Sequence, residues 1–241
     1  MSDPLKSIAF TALVALVCSL LLTGAATGLK DRKLRNVAVD RQKNILKAVG
    51  LLDSGGQPTI AQIERLYQDN IRCYTLDGSG RIKAGETGTD NLPVCFYVKD
   101  NQPAAYILPV NSRGLWGKIH GYVAIENDGR TVAGFSVYSH NETPGLGGEI
   151  ETPWFRQNFV GKRIVDGAGE FAAVGIAKGK VADTIAPDRQ ANYVDGISGA
   201  TLTGNFLSGG LRDVLLEYEA LSKQFRAGQV ALPTTESRPP T

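Results

Sequence analysis

No charged residue occurs from Ile8 to Gly28, a run that carries Phe10, Leu13, Val14, Leu16, Val17, Leu20, Leu21 and Leu22. A helix rises 1.5 Å per residue, so about twenty residues cross the roughly 30 Å hydrocarbon layer of a bilayer. A helix packed on a soluble core would carry a polar stripe, and none is present. The run therefore predicts a transmembrane helix over residues 8–28, preceded by a short arm of residues 1–7. Thr23, Gly24, Ala25 and Ala26 also offer a processing site, although the apolar region of a signal peptide is usually shorter, about 7 to 15 residues. Lys6 precedes the run, whereas Lys30, Arg32, Lys33 and Arg35 follow it. A positive-inside count would thus put the large C-terminal part in the cytoplasm.

The rest of the chain has a different texture. Of 241 residues 42% are apolar, enough for one sizeable core or two small ones. Lys and Arg number 26 against 24 Asp and Glu, and a formal charge of +2 gives no basic field for nucleic-acid binding. Glycine, at 28 residues, favours a turn-rich domain of mixed α and β structure. Cys18, Cys73 and Cys95 have no Cys-x-x-Cys spacing, and two strands of sequence without a Cys or carboxylate cluster separate His120 from His140. No protein-ligated metal centre is expected. Cys73 and Cys95 lie in apolar, strand-like stretches and read as small buried hydrophobes, with a disulfide open to them in an oxidising compartment.

Asn36–Leu52 places Val37, Val39, Ile45, Leu46, Val49 and Leu52 at loosely helical spacing, ended by Asp53-Ser54-Gly55-Gly56. Pro58-Thr59 opens a second helix with Ile60, Ile63, Leu66 and Tyr67 on one side, closing near Ile71. Residues 29–71 thus read as a helical connector. Five β-rich runs follow: Cys73–Leu76, Val94–Val98, Ala105–Val110, Ile119–Ile125 and Thr131–Val137, the last two joined as a hairpin through Glu126–Arg130. Trp154–Val160 predicts a short helix with Trp154 and Phe155 inward. The longest helix is predicted over Leu202–Phe225, with Phe206, Leu207, Leu211, Leu215 and Tyr218 at helical spacing. Ala231–Thr241 reads as loose tail. The expected class is α+β: a transmembrane helix, then a mixed domain over 72–228 and a tail over 229–241. No Gly-x-Gly-x-x-Gly follows a strand, so the chain is not expected to bind NADH itself.

Two segments carry chemistry. Asp195-Gly-Ile-Ser198-Gly199-Ala200-Thr201-Leu202-Thr203 stands directly before the long helix, where small residues admit a bulky group and helix N–H groups bind an anion. Ordinary capping by Thr201 or Thr203, with Gly199 in the turn, explains the same letters. His140-Asn-Glu142-Thr143-Pro144-Gly145-Leu146-Gly147-Gly148-Glu149-Ile-Glu151 follows the hairpin and, alone, is a Pro/Gly-rich turn.

The first segment fits Asp-x-x-(Ser/Thr)-Gly-Ala-(Ser/Thr), a pattern expected by chance in a chain of this size about once in a thousand. It resembles the attachment site of flavoproteins whose FMN is bonded through its phosphate to the last Ser or Thr, here Thr201. The second resembles the Glu-Thr-Pro-Gly-Leu-Gly run of the same proteins. With Asn111-Ser-Arg-Gly114-Leu-Trp116-Gly117, the chain resembles the C-subunit family of Na+-translocating NADH:quinone reductases over the anchor and roughly Leu108–Phe206. The related G-subunit of the Rnf electron-transport complex shares both motifs. Trp116 and the Gly-Gly-Glu-Ile-Glu extension favour the quinone reductase over the Rnf complex.

The resemblance implies a single-span flavoprotein subunit of a bacterial inner membrane that relays single electrons through covalent FMN. Its domain would be periplasmic, against the charge count. The implied partners are the other reductase subunits, the lipid bilayer and a Mg2+-dependent flavin transferase that splits FAD and modifies Thr201. Ser198, Gly199, Ala200, Leu202 and Thr203 would surround the anchor. Glu142 and Thr143 would meet the ribityl chain or ring edge, and Gly145 and Leu146 the ring. Trp116, or Trp154, would stack near it. Lys178 would bring a positive charge, and Asp195 would orient the turn or help place the incoming FAD pyrophosphate and its metal. No catalytic side chain is implied. The alternatives are a non-redox membrane-anchored binding or assembly module and a soluble flavoprotein released by signal cleavage.

Overall fold

The computed structural model describes residues 3–52, 56, 58–77, 79–83 and 91–233. The chain divides into two compact units, Met1–Asp40 and Arg41–Thr241. Helix α1, Asp3–Ala48, is a single 46-residue helix. The helical readings over 8–28 and 36–52 belong to this one helix, since Leu29-Lys-Asp-Arg-Lys-Leu-Arg35 between them holds no Pro or Gly to interrupt it. Its first half is long and apolar enough to cross a bilayer, with Phe10, Leu21 and Leu22 exposed.

In the second unit, the end of α1 closes with Gly50 N–H donating to Lys47 O and Leu51 N–H to Leu46 O, so the helix stops before Leu52. Most of the predicted terminator, Asp53–Gly55, lies outside the described residues. Helix α2, Ile60–Asn70, starts with a capping box: Thr59 and Gln62 each bond the other's backbone N–H. Ile63 and Tyr67 are buried, whereas Ile60 faces solvent.

The sheet follows as β1 Ile71–Leu76, β2 Ile82–Lys83, β3 Leu92–Lys99, β4 Gln102–Arg113, β5 Lys118–Glu126 and β6 Val132–Ser139, in spatial order β2-β1-β3-β4-β5-β6 and antiparallel throughout. All five predicted runs are strands, and the predicted hairpin joins β5 to β6. Cys73 lies directly opposite Cys95 in the β1–β3 register, and the two form a disulfide. Of the two readings the sequence left open for these cysteines, the disulfide holds, because the register brings their Cα atoms to 4.0 Å.

Period-two alternation gives the sheet two covered faces. On one, Ile107 and Ala124 are buried, Ser136 Oγ donates to Asn44 O at 2.8 Å, and Gly134 leaves room for the Ala48 carbonyl. The other face presents Tyr106, Leu108, Val123, Ile125 and Phe135 to helices α5, Thr201–Glu217, and α6, Glu219–Arg226. Leu207, Leu211 and Leu215 are fully buried there, and truncating one of them to Ala would cost about 3 kcal/mol. The single helix predicted over Leu202–Phe225 is thus two, divided at Tyr218, whose hydroxyl donates to Pro93 O at 2.6 Å. Phe206 sits at the surface under the Arg113 guanidinium, 5.1 Å away, rather than in the core.

Between β6 and α5 lie a 3-10 turn at Gly147–Glu151, α3 Pro153–Gln157, the parallel pair β7 Gly175–Ile176 and β8 Tyr193–Val194, and α4 Val181–Thr184. Phe155 is buried as expected, but Trp154 is not: it stands edge-on to Phe155 at the surface. Of the predicted tail, Val230 and Leu232 pack against the core and Pro233 O accepts from Tyr74 Oη, while 234–241 lie outside the described residues.

Candidate functional site

Glu142 joins the parts of the site. It is buried, and its carboxylate turns inward rather than toward an open ligand face. Oε2 accepts from Thr203 Oγ1 at 2.5 Å and Oε1 from the Trp116 backbone N–H at 3.1 Å. One carboxylate therefore connects three chain segments: the tight turn between β4 and β5, the loop after β6 and the start of α5. A Cβ on Gly114 would lie 2.5 Å from Oε1, and one on Gly147 would lie 2.7 Å from Oε2 and 2.6 Å from Thr203 Oγ1. Only glycine fits at either wall. His140 supports the loop from below: its Nδ1 accepts the Glu142 N–H at 3.1 Å, which leaves the ring proton on Nε2, 3.4 Å from Glu151 Oε2.

The start of α5 has no side-chain cap. Ala200 occupies the capping position and supplies no side-chain cap, so neither Thr201 nor Thr203 caps the helix. Thr201 is its first residue. The earliest N–H groups of a 17-residue helix are thereby left for a ligand. Thr203 is buried and committed to Glu142, whereas Thr201 is exposed and its hydroxyl has no hydrogen-bond partner among the described residues. Gly199 takes φ +73°, and a Cβ there would lie 2.9 Å from Leu146 Cδ2. The loop after β6 thus touches the turn before α5 through Leu146.

Asp195 holds the neighbouring loop: its Oδ1 accepts the Val181 N–H at 2.7 Å, and Gly196 N–H donates to Gly179 O at 2.7 Å. These bonds bring the Lys178–Val181 segment beside the Asp195–Thr201 segment. Lys178 is itself exposed. Ser208 Oγ accepts the Ile176 N–H at 2.8 Å and fastens α5 to β7. The three segments joined here also carry exposed apolar side chains, Trp116 at 68%, Leu202 at 54% and Leu146 at 43% exposure. Thr143 and Gly145 are exposed in the loop after β6, as is Ser198 in the turn before α5, while Ala200 is buried.

Of the expected residues, Thr201, Leu202, Thr203, Gly199, Leu146, Glu142 and Trp116 meet in one place through these contacts. Trp154 is tied instead to Glu149, its Nε1 donating to Oε2 at 3.4 Å. His140 and Gly114 were not singled out as site residues by sequence reasoning, and Gly147 was read only as part of the Pro144–Gly147 loop facing the ring. Their signal lay in the same motif letters, but only the packing around Glu142 gives them a role. Among the described residues no group of His, Cys, Asp and Glu is arranged to hold a metal.

The FMN-binding domain family matches residues 114–215, which begin at the wall of the Glu142 site and end within α5. The C-subunit of the Na(+)-translocating NADH-quinone reductase of Yersinia pestis is 34% identical over 235 residues, covering 83% of this chain and 84% of that protein. The chain belongs to this C-subunit family. The Neisseria meningitidis member is 33% identical, covering 81% of this chain. The crystal structure of the member from Parabacteroides distasonis shares 28% identity with a TM-score of 0.69, covering 80% of this chain and 96% of that one. That of Shewanella oneidensis NqrC, at 22% identity and a TM-score of 0.65, shares the fold. The family architecture in this chain is thus an α+β FMN-binding domain behind a long apolar N-terminal helix. The Yersinia pestis and Vibrio anguillarum relatives both carry the quinone reductase name.

Proposed function

We propose that this chain relays single electrons through FMN joined by a phosphoester to Thr201 Oγ1, within a membrane-anchored sodium-pumping NADH-quinone reductase. The observation that carries the proposal is the exposed, unbonded Thr201 hydroxyl at the first position of an uncapped helix. Three features of the chain fit the cofactor: open N–H groups for a phosphate, a hydroxyl for the tether, and an apolar surface for an isoalloxazine. Bound FMN supplies one- and two-electron redox chemistry.

The chain's own residues do the rest. Thr201 is the substrate of a separate transferase that splits FAD: its oxygen bonds the FMN phosphorus, the FAD pyrophosphate bond breaks and AMP leaves. The Thr201, Leu202 and Thr203 N–H groups would hold the phosphoester oxygens. Gly199 and Ala200 keep that approach clear, with Ser198 at its edge. Glu142 fixes Thr203, and with it the first turn of α5, relative to Trp116 and Leu146, which would flank a bound ring. Thr143 and Gly145 offer polar contacts from the same loop. Asp195 keeps the Lys178 loop at the site, so that Lys178 favours negative charge on a reduced ring.

Residues 8–28 are the bilayer anchor, and the remaining subunits of the reductase are the partners. The domain lies on the periplasmic side of the inner membrane. A disulfide between Cys73 and Cys95 supports this side over the cytoplasm, because disulfides persist in oxidising compartments. It outweighs the basic cluster Lys30–Arg35, since long domains translocate largely regardless of charge.

The test is ultraviolet fluorescence of the denatured band after gel electrophoresis of chain matured with a flavin transferase. Wild type is expected to fluoresce and Thr201→Ala to be dark. A dark wild-type band would leave the membrane-anchored binding module as the reading.

A further inference from the structure

Strands β3 and β4 are paired only as far as Cys95 and Ile107, although β4 continues to Arg113 beside β5. Past Val94 and Leu108, the next pair in that register that would exchange hydrogen bonds is Pro93 and Pro109. Neither proline has an N–H to donate, so the ladder ends there. The consequences along β4 follow from its other neighbour. Gly114 N–H donates to Gly117 O at 2.6 Å, and alternation from that bond turns the backbone groups of Ser112 and Val110 toward β5. Those of Asn111 and Arg113 point the opposite way. Among the described residues their N–H groups have no partner, and they lie at the sheet edge beside a groove of about 610 Å3 whose lining includes Pro93, Pro109, Asn111, Asp213, Leu216 and Glu217.

The far wall of that groove is α5. Leu216 is 55% exposed, and neither Asp213 nor Glu217 is in an ion pair among the described residues. The lining holds these two carboxylates and no cation. Helix positions four apart are about 6 Å apart along the axis, close to the roughly 6.7 Å between alternate residues of a strand. Ser112 Oγ bonds Phe206 O, and Tyr218 at the other end bonds Pro93, so α5 runs alongside the open edge.

We propose that the β4 edge at Asn111–Arg113 receives an extended segment of a neighbouring protein subunit, added as a strand, with basic side chains two residues apart facing Asp213 and Glu217. Backbone pairing to an open edge supplies affinity, and the alternate side chains supply selection. A second copy of this chain fits badly, since edge-to-edge pairing would bring two sets of the same carboxylates together. The inference rests on the reading that the chain works within a multisubunit reductase.

The test uses the intact complex, with a photo-crosslinking amino acid in place of Leu216, and particles are taken only where co-purification shows the other subunits. That step reports on the multisubunit reading separately. The expected product joins position 216 to a segment of another subunit with Lys or Arg at alternate positions, and its yield falls at least tenfold in the Asp213→Lys, Glu217→Lys double variant. Amide exchange at Asn111 and Arg113 is expected to slow at least tenfold in the complex relative to the full chain alone. Unchanged exchange at both amides in assembled particles, or a crosslink to a second copy or to lipid alone, overturns the proposal.

Discussion

Replacing Thr203 by Val keeps the side-chain shape and removes one hydroxyl, which makes it a direct probe of the Glu142 junction. In the structure that hydroxyl donates to Oε2 of a buried carboxylate at 2.5 Å, and the Trp116 N–H reaches only the other oxygen. The substitution leaves Oε2 facing two methyl groups. A hydrogen bond to a charged group is worth about 1.5–3 kcal/mol, and stranding a buried charged acceptor stands at the upper end of that range. Thr203→Val is therefore expected to lower stability by about 3 kcal/mol, or about 6–12 °C in Tm for a domain of this size. Thr203→Ser retains the donor and loses a methyl, about 0.8 kcal/mol. The assay is urea unfolding of the detergent-solubilised full chain by tryptophan fluorescence, since Trp116 and Trp154 are the only tryptophans and Trp116 belongs to the junction. In a double-mutant cycle with Glu142→Gln, a coupling energy above about 1 kcal/mol is expected. Equal losses for Val and Ser, or no coupling to Glu142, would refute the account of this carboxylate as the element that aligns the three segments.

Three further outcomes follow from single features. Opening the Cys73–Cys95 bridge by Cys→Ser exchange, or reducing the wild type, is expected to cost about 3 kcal/mol from loop-closure entropy over a 22-residue separation, read as a matched fall in unfolding midpoint. Gly199→Ala is expected to reduce flavin incorporation severalfold, because a Cβ would stand 2.9 Å from Leu146 Cδ2 at φ +73°; Gly145→Ala, at φ +75° with open space, should cost only the backbone term of about 1 kcal/mol and spare more of the incorporation, measured by flavin-to-protein absorbance. Burial pushes the Asp128 carboxyl up, but bonds from the Thr131 hydroxyl and the Thr131 and Arg130 N–H groups outweigh it and hold it below its ordinary 3.8. Its contribution is present above that value and lost as pH falls through the lower folded one. Asp128→Asn should thus cost at most about 1 kcal/mol at neutral pH, with the gap closing in acid unfolding curves.

Much of this was written in local letters. Alternation at Ala105–Val110 and Ile119–Ile125 predicts strands because one sheet face must be apolar at every second residue, and the turn at Glu126–Arg130 has the residues a hairpin needs. The span at Ile8–Gly28 is equally local. The remaining features depend on partners distant in sequence. Tyr218 divides the last helical region because its hydroxyl meets Pro93, and no periodicity within Leu202–Phe225 records that. Cys73 pairs with Cys95 only once the β1–β3 register is set. Glu142 reads as a polar ligand contact in its motif, and the structure turns it inward because Thr203 and the Trp116 N–H arrive from other segments. The motif letters located the site, while the division of labour between Thr201 and Thr203 required the fold: two hydroxyls two positions apart on one helix turn, one buried against a carboxylate and the other at the surface.

Mass spectrometry of full-length chain, purified from membranes that also contain the flavin transferase, tests the central claim most directly. The account predicts an intact mass raised by one FMN phosphoester, carried on Thr201 in the tryptic peptide Gln190–Arg212 and lost in Thr201→Ala. A bare polypeptide mass from such a preparation, or the same increment carried by Ser198 or Thr203, would contradict it.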